Sequence, residues 1–307
     1  MTTTTGNHAN TRHESWGHWW ERNMRYALVI PTTLVIIAIT VFPLLYSLGI
    51  SFLNWDLQRP GRQFIWFKNY ATALADDRLW EALGHTLIIV VIAVTLELVI
   101  GLALAYILSD KLPGKRFIIP LFILPVVMAP IIVGYTWRML WDTQFGPINQ
   151  ILGWFVGQPV NLVWLANPNS VYPAILITEI WQWTPFMFLI LLAGLTAINP
   201  EIREAASIDG ASAWQTIRHI TLPLLQPVIV LAVIFRTLDV FKIFDIIFAL
   251  TGGGPGSQTE TASLYVYILG FKNFRLSYAA AVSFILLIVV AVLIAIFWQR
   301  LGQREQE

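Results

Sequence analysis

Residues 199–223 read Asn199-Pro200-Glu201-Ile202-Arg203-Glu204-Ala205-Ala206-Ser207-Ile208-Asp209-Gly210-Ala211-Ser212-Ala213-Trp214-Gln215-Thr216-Ile217-Arg218-His219-Ile220-Thr221-Leu222-Pro223, a polar gap between two long apolar runs. Asn199 can cap a helix that opens on Pro200, with Glu201 and Glu204 in the early turns, where the helix dipole favours carboxylates. Gly210 suits a left-handed stop. Ser212 and Gln215 have the spacing of a capping box, so a second short helix is expected to start there and to run until Pro223 interrupts it at the membrane. Helix, sharp turn, helix along a membrane surface is the expectation. On capping signals alone it is equally an ordinary amphipathic interfacial hairpin.

The runs on either side set the fold class. Charged residues are 12% of the chain against 57% hydrophobic, and mean hydropathy is +0.66; a soluble domain carries about 25% charge. This is the composition of an integral membrane protein. Six stretches, about 26–50, 86–108, 117–141, 171–194, 224–250 and 277–298, are long enough to cross about 30 Å of hydrocarbon at about 1.5 Å per helical residue. They predict an all-α membrane protein with one six-helix domain over 26–298, between a polar tail 1–25 and a short tail 299–307. A β-barrel is excluded, because barrel strands alternate over about ten residues whereas these runs are continuously apolar.

Lys and Arg placement orients the helices. With the N-terminus inside, Arg12, Arg22, Arg25, Lys111, Lys115, Arg116, Arg203, Arg218, Arg300 and Arg304 are cytoplasmic, against Arg59, Arg62, Lys68, Arg78, Lys272 and Arg275 outside. The short loop 110–116 weighs most in this bias, so both termini and segment 199–223 of a multi-pass membrane protein are expected in the cytoplasm. The first apolar run is too long for a signal-peptide core and no small-x-small site closes it, so it is expected to stay as an anchor. There is no cysteine, hence no disulfide staple and no thiolate metal site. A net charge of +1 argues against nucleic acid as a partner.

Within segment 199–223, Glu204-Ala205-Ala206, Gly210 and Ile220-Thr221-Leu222-Pro223 form the pattern E-A-A-x3-G-x9-I-x-L-P, which resembles the EAA loop of ABC importer permeases. Leu192-Ala193-Gly194-Leu195, Phe241-Lys242-Ile243-Phe244-Asp245 and Thr251-Gly252-Gly253-Gly254-Pro255 narrow the resemblance to the maltose-type carbohydrate-uptake permeases. Weaker likenesses at Lys68-Asn69-Tyr70 and Gly146-Pro147-Ile148-Asn149 extend it over roughly residues 25 to 300. The resemblance implies a type I ABC importer permease core built from helices two to six, forming the alternating-access path of an ATP-driven sugar importer. It implies ATPase coupling through Glu204, Ala205, Ala206, Asp209, Gly210, Ile220, Leu222 and Pro223, with Glu204 as a polar contact and Gly210 as the tight turn. The implied partners are a second homologous permease, two ABC ATPase subunits, an extracytoplasmic solute-binding protein and membrane lipid. A disaccharide is the implied cargo, with a polyol or glycerol phosphate as the alternative. An intramembrane enzyme or a noncatalytic assembly subunit is the alternative from a different class.

The chain itself offers nothing that could supply the energy. Gly252-Gly253-Gly254-Pro255-Gly256 is followed by Ser257-Gln258, without the Lys-Ser/Thr of a nucleotide P-loop, and reads as a flexible outer turn between helices five and six. No hydrolase or zinc-protease motif occurs, and His8, His13, His18, His85 and His219 are scattered. The chain is therefore expected not to be an enzyme and to bind no metal or cofactor, ATP and Mg being used by the partner ATPase.

An ionisable residue at mid-bilayer costs at least about 2.5 kcal/mol unless it faces a partner or water, so such residues are candidate functional groups. Helix five carries Arg236, Asp239, Lys242 and Asp245 at every third position with alternating sign. They predict either a self-neutralising ladder or, for Arg236 and Asp239, a border of the substrate path. Helix four offers Glu179, Trp181, Gln182 and Trp183 just before Pro185, which frees the carbonyl of Trp181 and predicts a local break of the kind that accompanies transporter sites. Indoles pack on the C–H faces of sugars, while amides and carboxylates take their hydroxyls. Tyr135 and Arg138 on helix three complete the substrate-binding candidates, and Pro120, Pro125 and Pro130 predict a kinked helix three. The outer segments 51–85 and 142–170 are too short for a domain and are expected to hold short interfacial helices.

Overall fold

The computed structural model describes residues 11–56, 61–109 and 114–302. His8, Arg59, Lys111 and Arg304, named above, lie outside the described residues. In chain order, α1 is Thr11–Ser51, followed by a minimal antiparallel ribbon of β1 (Leu53–Asn54) and β2 (Gln63–Phe64), in which Leu53 faces Phe64. Next come α2 (Lys68–Leu74), α3 (Asp77–Ser109), α4 (Lys115–Val127), α5 (Pro130–Leu140), α6 (Pro147–Val156) and α7 (Val171–Ala197). The cytoplasm-assigned segment folds as α8 (Pro200–Ile208) and α9 (Ala213–Thr216). Then α10 (Leu222–Phe241), α11 (Asp245–Leu250), α12 (Ala262–Tyr267) and α13 (Leu276–Gly302) close the chain. Among the described residues, five helices are long and apolar enough to span a bilayer, at Tyr26–Ser51, Asp77–Ser109, Val171–Ala197, Ala213–Phe241 and Leu276–Ile296. α4 and α5 together pass the same test but are bent by 97° at the break between them, the geometry of a broken span or a re-entrant loop.

That bend has a single cause in the sequence. Pro120 and Pro125 sit inside α4, while Met128 and Ala129 are extended, with ψ of 139° and 131°, because the residue before Pro130 is excluded from helical geometry. Pro185, by contrast, is absorbed within an unbroken α7. The segment around it loses a hydrogen bond without becoming a break.

Pro223 likewise does not end the second short helix. Ile217–Thr221 winds as a π-turn whose last register bond joins the N–H of Leu222 to the carbonyl of Ile217, and the chain continues into α10. The wider turn shifts the register where Pro223 has no N–H to give, and proline is tolerated at a helical start. At the far end α10 stops at Phe241. Lys242 and Ile243 turn back, their N–H groups on the carbonyls of Asp239 and Val240, and α11 restarts at Asp245. The expected run 224–250 is thus two helices, so its four charges do not share one continuous face.

The core lies where α3, α7 and α10 meet, with Ile89, Ala93, Ile175, Met187 and Ala232 fully buried. Without a hydrophobic drive between helices in lipid, close approach of backbones carries much of the packing. Gly101 provides it: a Cβ there would stand 2.9 Å from Cβ of Met187 and 3.0 Å from the backbone N of Phe188. α1 packs mainly against α13 and leaves Leu28, Ile39 and Phe42 two-thirds exposed or more, the surface of a lipid-facing helix.

The segment expected on the outer side is tied down rather than loose. The loop 251–261 folds on itself, with the Thr259 hydroxyl donating to the Gly254 carbonyl (2.7 Å) and paired with the hydroxyl of Thr251 (2.8 Å), and Thr259, Glu260 and Thr261 are buried. Arg78 clamps Glu260 with two bonds of 2.9 and 2.6 Å. The expected flexible turn is a fixed strap, because these side chains satisfy its backbone groups.

Candidate functional site

Segment 199–223 has the geometry its caps dictate. The Asn199 side chain accepts from the N–H of Glu201 at 3.1 Å. At the other end of α8 the N–H of Ala211 bonds to the carbonyl of Ala206 (3.0 Å) and that of Gly210 to Ser207 (3.2 Å), the paired bonds of a Schellman stop, with Gly210 at φ +79°. Ser212 and Gln215 exchange capping bonds of 2.8 and 3.3 Å. Two capped helices therefore reverse about Gly210. Glu204, Ala205, Asp209, Gly210 and Pro223 are exposed, Ile220 and Leu222 half-buried, and Ala206 is buried. Ile208 and Trp214 project apolar surface, 85% and 66% exposed.

The second feature is a buried charge cluster. Arg236 on α10, 1% exposed, grips Glu97 of α3 bidentately through Nε (2.6 Å) and Nη2 (2.8 Å). Nη2 also donates to Oε1 of Glu179 on α7 (2.6 Å), and Nη1 to Oδ2 of Asp239 (2.7 Å). Its guanidinium carbon lies 4.6 Å from the ring centre of Trp183, a cation–π contact. One residue thus bolts three helices together. Glu97 escaped the sequence reading although a signal existed: it is the lone carboxylate inside the apolar run of helix two. Of the expected ladder only the Arg236–Asp239 rung forms. Among the described residues no ion pair joins Lys242 to Asp239 or Asp245, because the helix has ended between them.

Beside the cluster lies a cavity of about 150 Å³ lined by Pro130, Glu179, Trp183, Asp239, Lys242, Ile243, Phe244, Asp245 and Ile246. It opens where α5 and α11 meet α7 and α10. Glu179 is 2% exposed, and its Oε2 has no hydrogen-bond partner among the described residues. Ligand pockets hold about 300–1,000 Å³. This space is a fraction of one, with acceptors and an indole on its wall.

The other candidates lie elsewhere. Gln182 is fully buried and its amide donates to the carbonyl of Met128 (3.0 Å), filling the bond freed by the bend between α4 and α5. Trp181 packs edge-on against Trp137 at 5.5 Å. Arg138 donates to the carbonyl of Ala249 in the last turn of α11 (3.3 Å), where a cation complements the helix dipole. Tyr135 is half exposed and outside the cavity lining.

Comparison with known proteins places this architecture. Residues 98–305 match the family described as binding-protein-dependent transport system inner membrane component. The trehalose/maltose transport system permease protein MalF of Thermococcus litoralis is 37% identical over 80% of this chain and 83% of its own length. The trehalose transport system permease protein SugA of Mycobacterium tuberculosis is 36% identical over 92% of this chain and 90% of its own. A bacterial ABC transporter involved in the import of the acidic polysaccharide alginate superposes with a TM-score of 0.80 at 22% identity, covering 94% of this chain and 99% of that one; the two share a fold. The chain therefore belongs to the binding-protein-dependent transport system inner membrane components, the membrane-spanning permease subunits of ABC importers.

Proposed function

We propose that this chain is one of two permease subunits of an importer for a glucose disaccharide of the trehalose or maltose type. Its path runs past Glu179, Trp183 and Asp239. A solute-binding protein delivers the sugar at the outer face, and two ATPase subunits drive transport from the cytoplasm using ATP and Mg. Both termini lie in the cytoplasm, as the Lys and Arg bias requires. The observation that carries the cargo is the kinship at 36–37% identity, over most of the chain, with two permeases named for trehalose.

The geometry supports the division of labour. Segment 199–223 presents a rigid reversal with exposed Glu204, Ile208 and Trp214, the shape of a lever that a soluble partner can hold. The cavity, at about 150 Å³, is too small for a disaccharide by itself, so a homologous subunit supplies the facing wall. In such a site Trp183 meets a C–H face of the sugar, while Glu179 and Asp239 accept hydroxyls. Closure of the ATPase pair then moves α8 and α9, and α10, continuous with α9, carries that movement to Arg236 and Asp239.

The test is uptake of labelled trehalose and maltose by a strain lacking this gene, with and without the gene restored. Loss of uptake on deletion and recovery on complementation are expected. Unchanged uptake of both sugars would remove the assignment.

A further inference from the structure

We propose that the cavity between α7, α10 and α11 is a charge filter: it accepts neutral or cationic polyhydroxyl compounds and turns away anionic ones, such as uronates and sugar phosphates. This rests on reading the cavity as part of the sugar path.

A guanidinium has five N–H groups, and Arg236 spends four of them on Glu97, Glu179 and Asp239. It has almost nothing left to offer an incoming carboxylate or phosphate. Arg236 stands behind the wall; among the residues that line the cavity, Lys242 carries the one positive charge, and Asp245 shares that wall. Acceptors dominate instead. Among the described residues Oε2 of Glu179 is buried without a partner, and Asp239, held through Oδ2, leaves its side chain 46% exposed.

An orphaned carboxylate oxygen calls for a hydrogen-bond donor, which a hydroxyl or an ammonium supplies and an ionised acid group does not. Around the cavity, Glu97, Glu179, Asp239 and Asp245 stand against Arg236 and Lys242, a formal excess of two negative charges. At an effective dielectric of about 20 and roughly 10 Å, each excess charge disfavours an anion by about tenfold, so two give about 10²-fold.

The chain contains no cysteine, which allows the filter to be measured independently of any binding protein. A single cysteine is placed at Phe244→Cys, on the cavity wall, or at Gln150→Cys, exposed on α6. Each is introduced into the assembled importer and labelled with cationic 2-aminoethyl or anionic 2-sulfonatoethyl methanethiosulfonate. The ratio of the two rates cancels the intrinsic reactivity of each thiol. Relative to position 150, the cation-to-anion ratio at position 244 is expected to be about 10²-fold higher, and Asp239→Asn should lower that excess about tenfold. Ile243→Cys, on the same wall, serves as the second reporter should Phe244→Cys fail to assemble.

Equal ratios at the wall and at position 150 overturn the filter. Protection of the wall cysteine by trehalose separates this from the reading beneath it. Equal ratios with protection leave the path intact and the filter refuted; absence of protection refutes the path and the filter with it.

Discussion

Replacing Arg236 with Met removes the bolt of the buried cluster, and its cost follows from what is left behind. Arg236 makes four bonds of 2.6 to 2.8 Å to carboxylates. Without it, Glu97 at 0% and Glu179 at 2% exposure face each other with no counter-charge. Stranding buried charge costs about 3–5 kcal/mol. Asp239→Leu is a different case: that side chain is 46% exposed, so its loss costs at most about 1 kcal/mol. The double variant Arg236→Met with Asp239→Leu is therefore not rescued, since two buried carboxylates remain. Rescue requires Glu97→Met, Glu179→Met and Arg236→Met together, an exchange of a buried ionic group for apolar side chains that is often neutral or stabilising. The assay is denaturant-induced unfolding of the purified permease in mixed micelles, followed by tryptophan fluorescence. An Arg236→Met variant within about 0.5 kcal/mol of wild type, or full recovery in the Arg236/Asp239 double variant, would refute the three-helix account.

Gly210→Val forces a β-branched residue to φ +79°, at a cost of at least about 1–2 kcal/mol, with no steric neighbour within 4 Å to blame; the protein should insert normally yet fail to copurify its ATPase. Gly101→Ala drives a methyl against Met187 and the Phe188 backbone and should cost about 1–3 kcal/mol in the same unfolding assay. Asp76, just before the start of α3, is held below the usual carboxylate range: its partial burial pushes upward, but the hydroxyls of Tyr265 and Tyr278 and the N–H groups of Arg78 and Leu79 outweigh it. A lowered value means stability present at neutral pH and lost as pH falls through the folded-state value, so Asp76→Asn should flatten the acid limb of a stability-against-pH curve.

How much of this was legible in the sequence depends on the range of the interaction. Asn199, Pro200, Gly210, Ser212 and Gln215 act on backbone within a few residues of themselves, so the reversal of α8 and α9 could be read directly from their order. Six spans were legible because burial in lipid needs only length and apolarity. Pro130 could be named as a source of a kink, but not preferred over Pro120 and Pro125, since a helix in lipid can absorb a proline when neighbours re-satisfy the backbone. The end of α10 at Phe241 was hidden because Ile243, Phe244 and the residues after Asp245 keep the run apolar through the break. Glu97 was visible as an anomaly, yet its union with Arg236, 139 positions away, is a tertiary fact. The charges of helix five suggested a local ladder for the same reason: period three is visible along a chain, whereas a carboxylate on another helix is not.

Passage of the sugar past Trp183 and its flanking carboxylates is decided by uptake of labelled trehalose through complexes carrying Trp183→Ala, with Trp181→Ala as the control two positions away on the same helix. The account predicts that both variants copurify the ATPase, that Trp181→Ala transports normally, and that Trp183→Ala loses at least about tenfold in uptake, a barrier change of roughly 1.4 kcal/mol. Wild-type uptake by a fully assembled Trp183→Ala complex would contradict it.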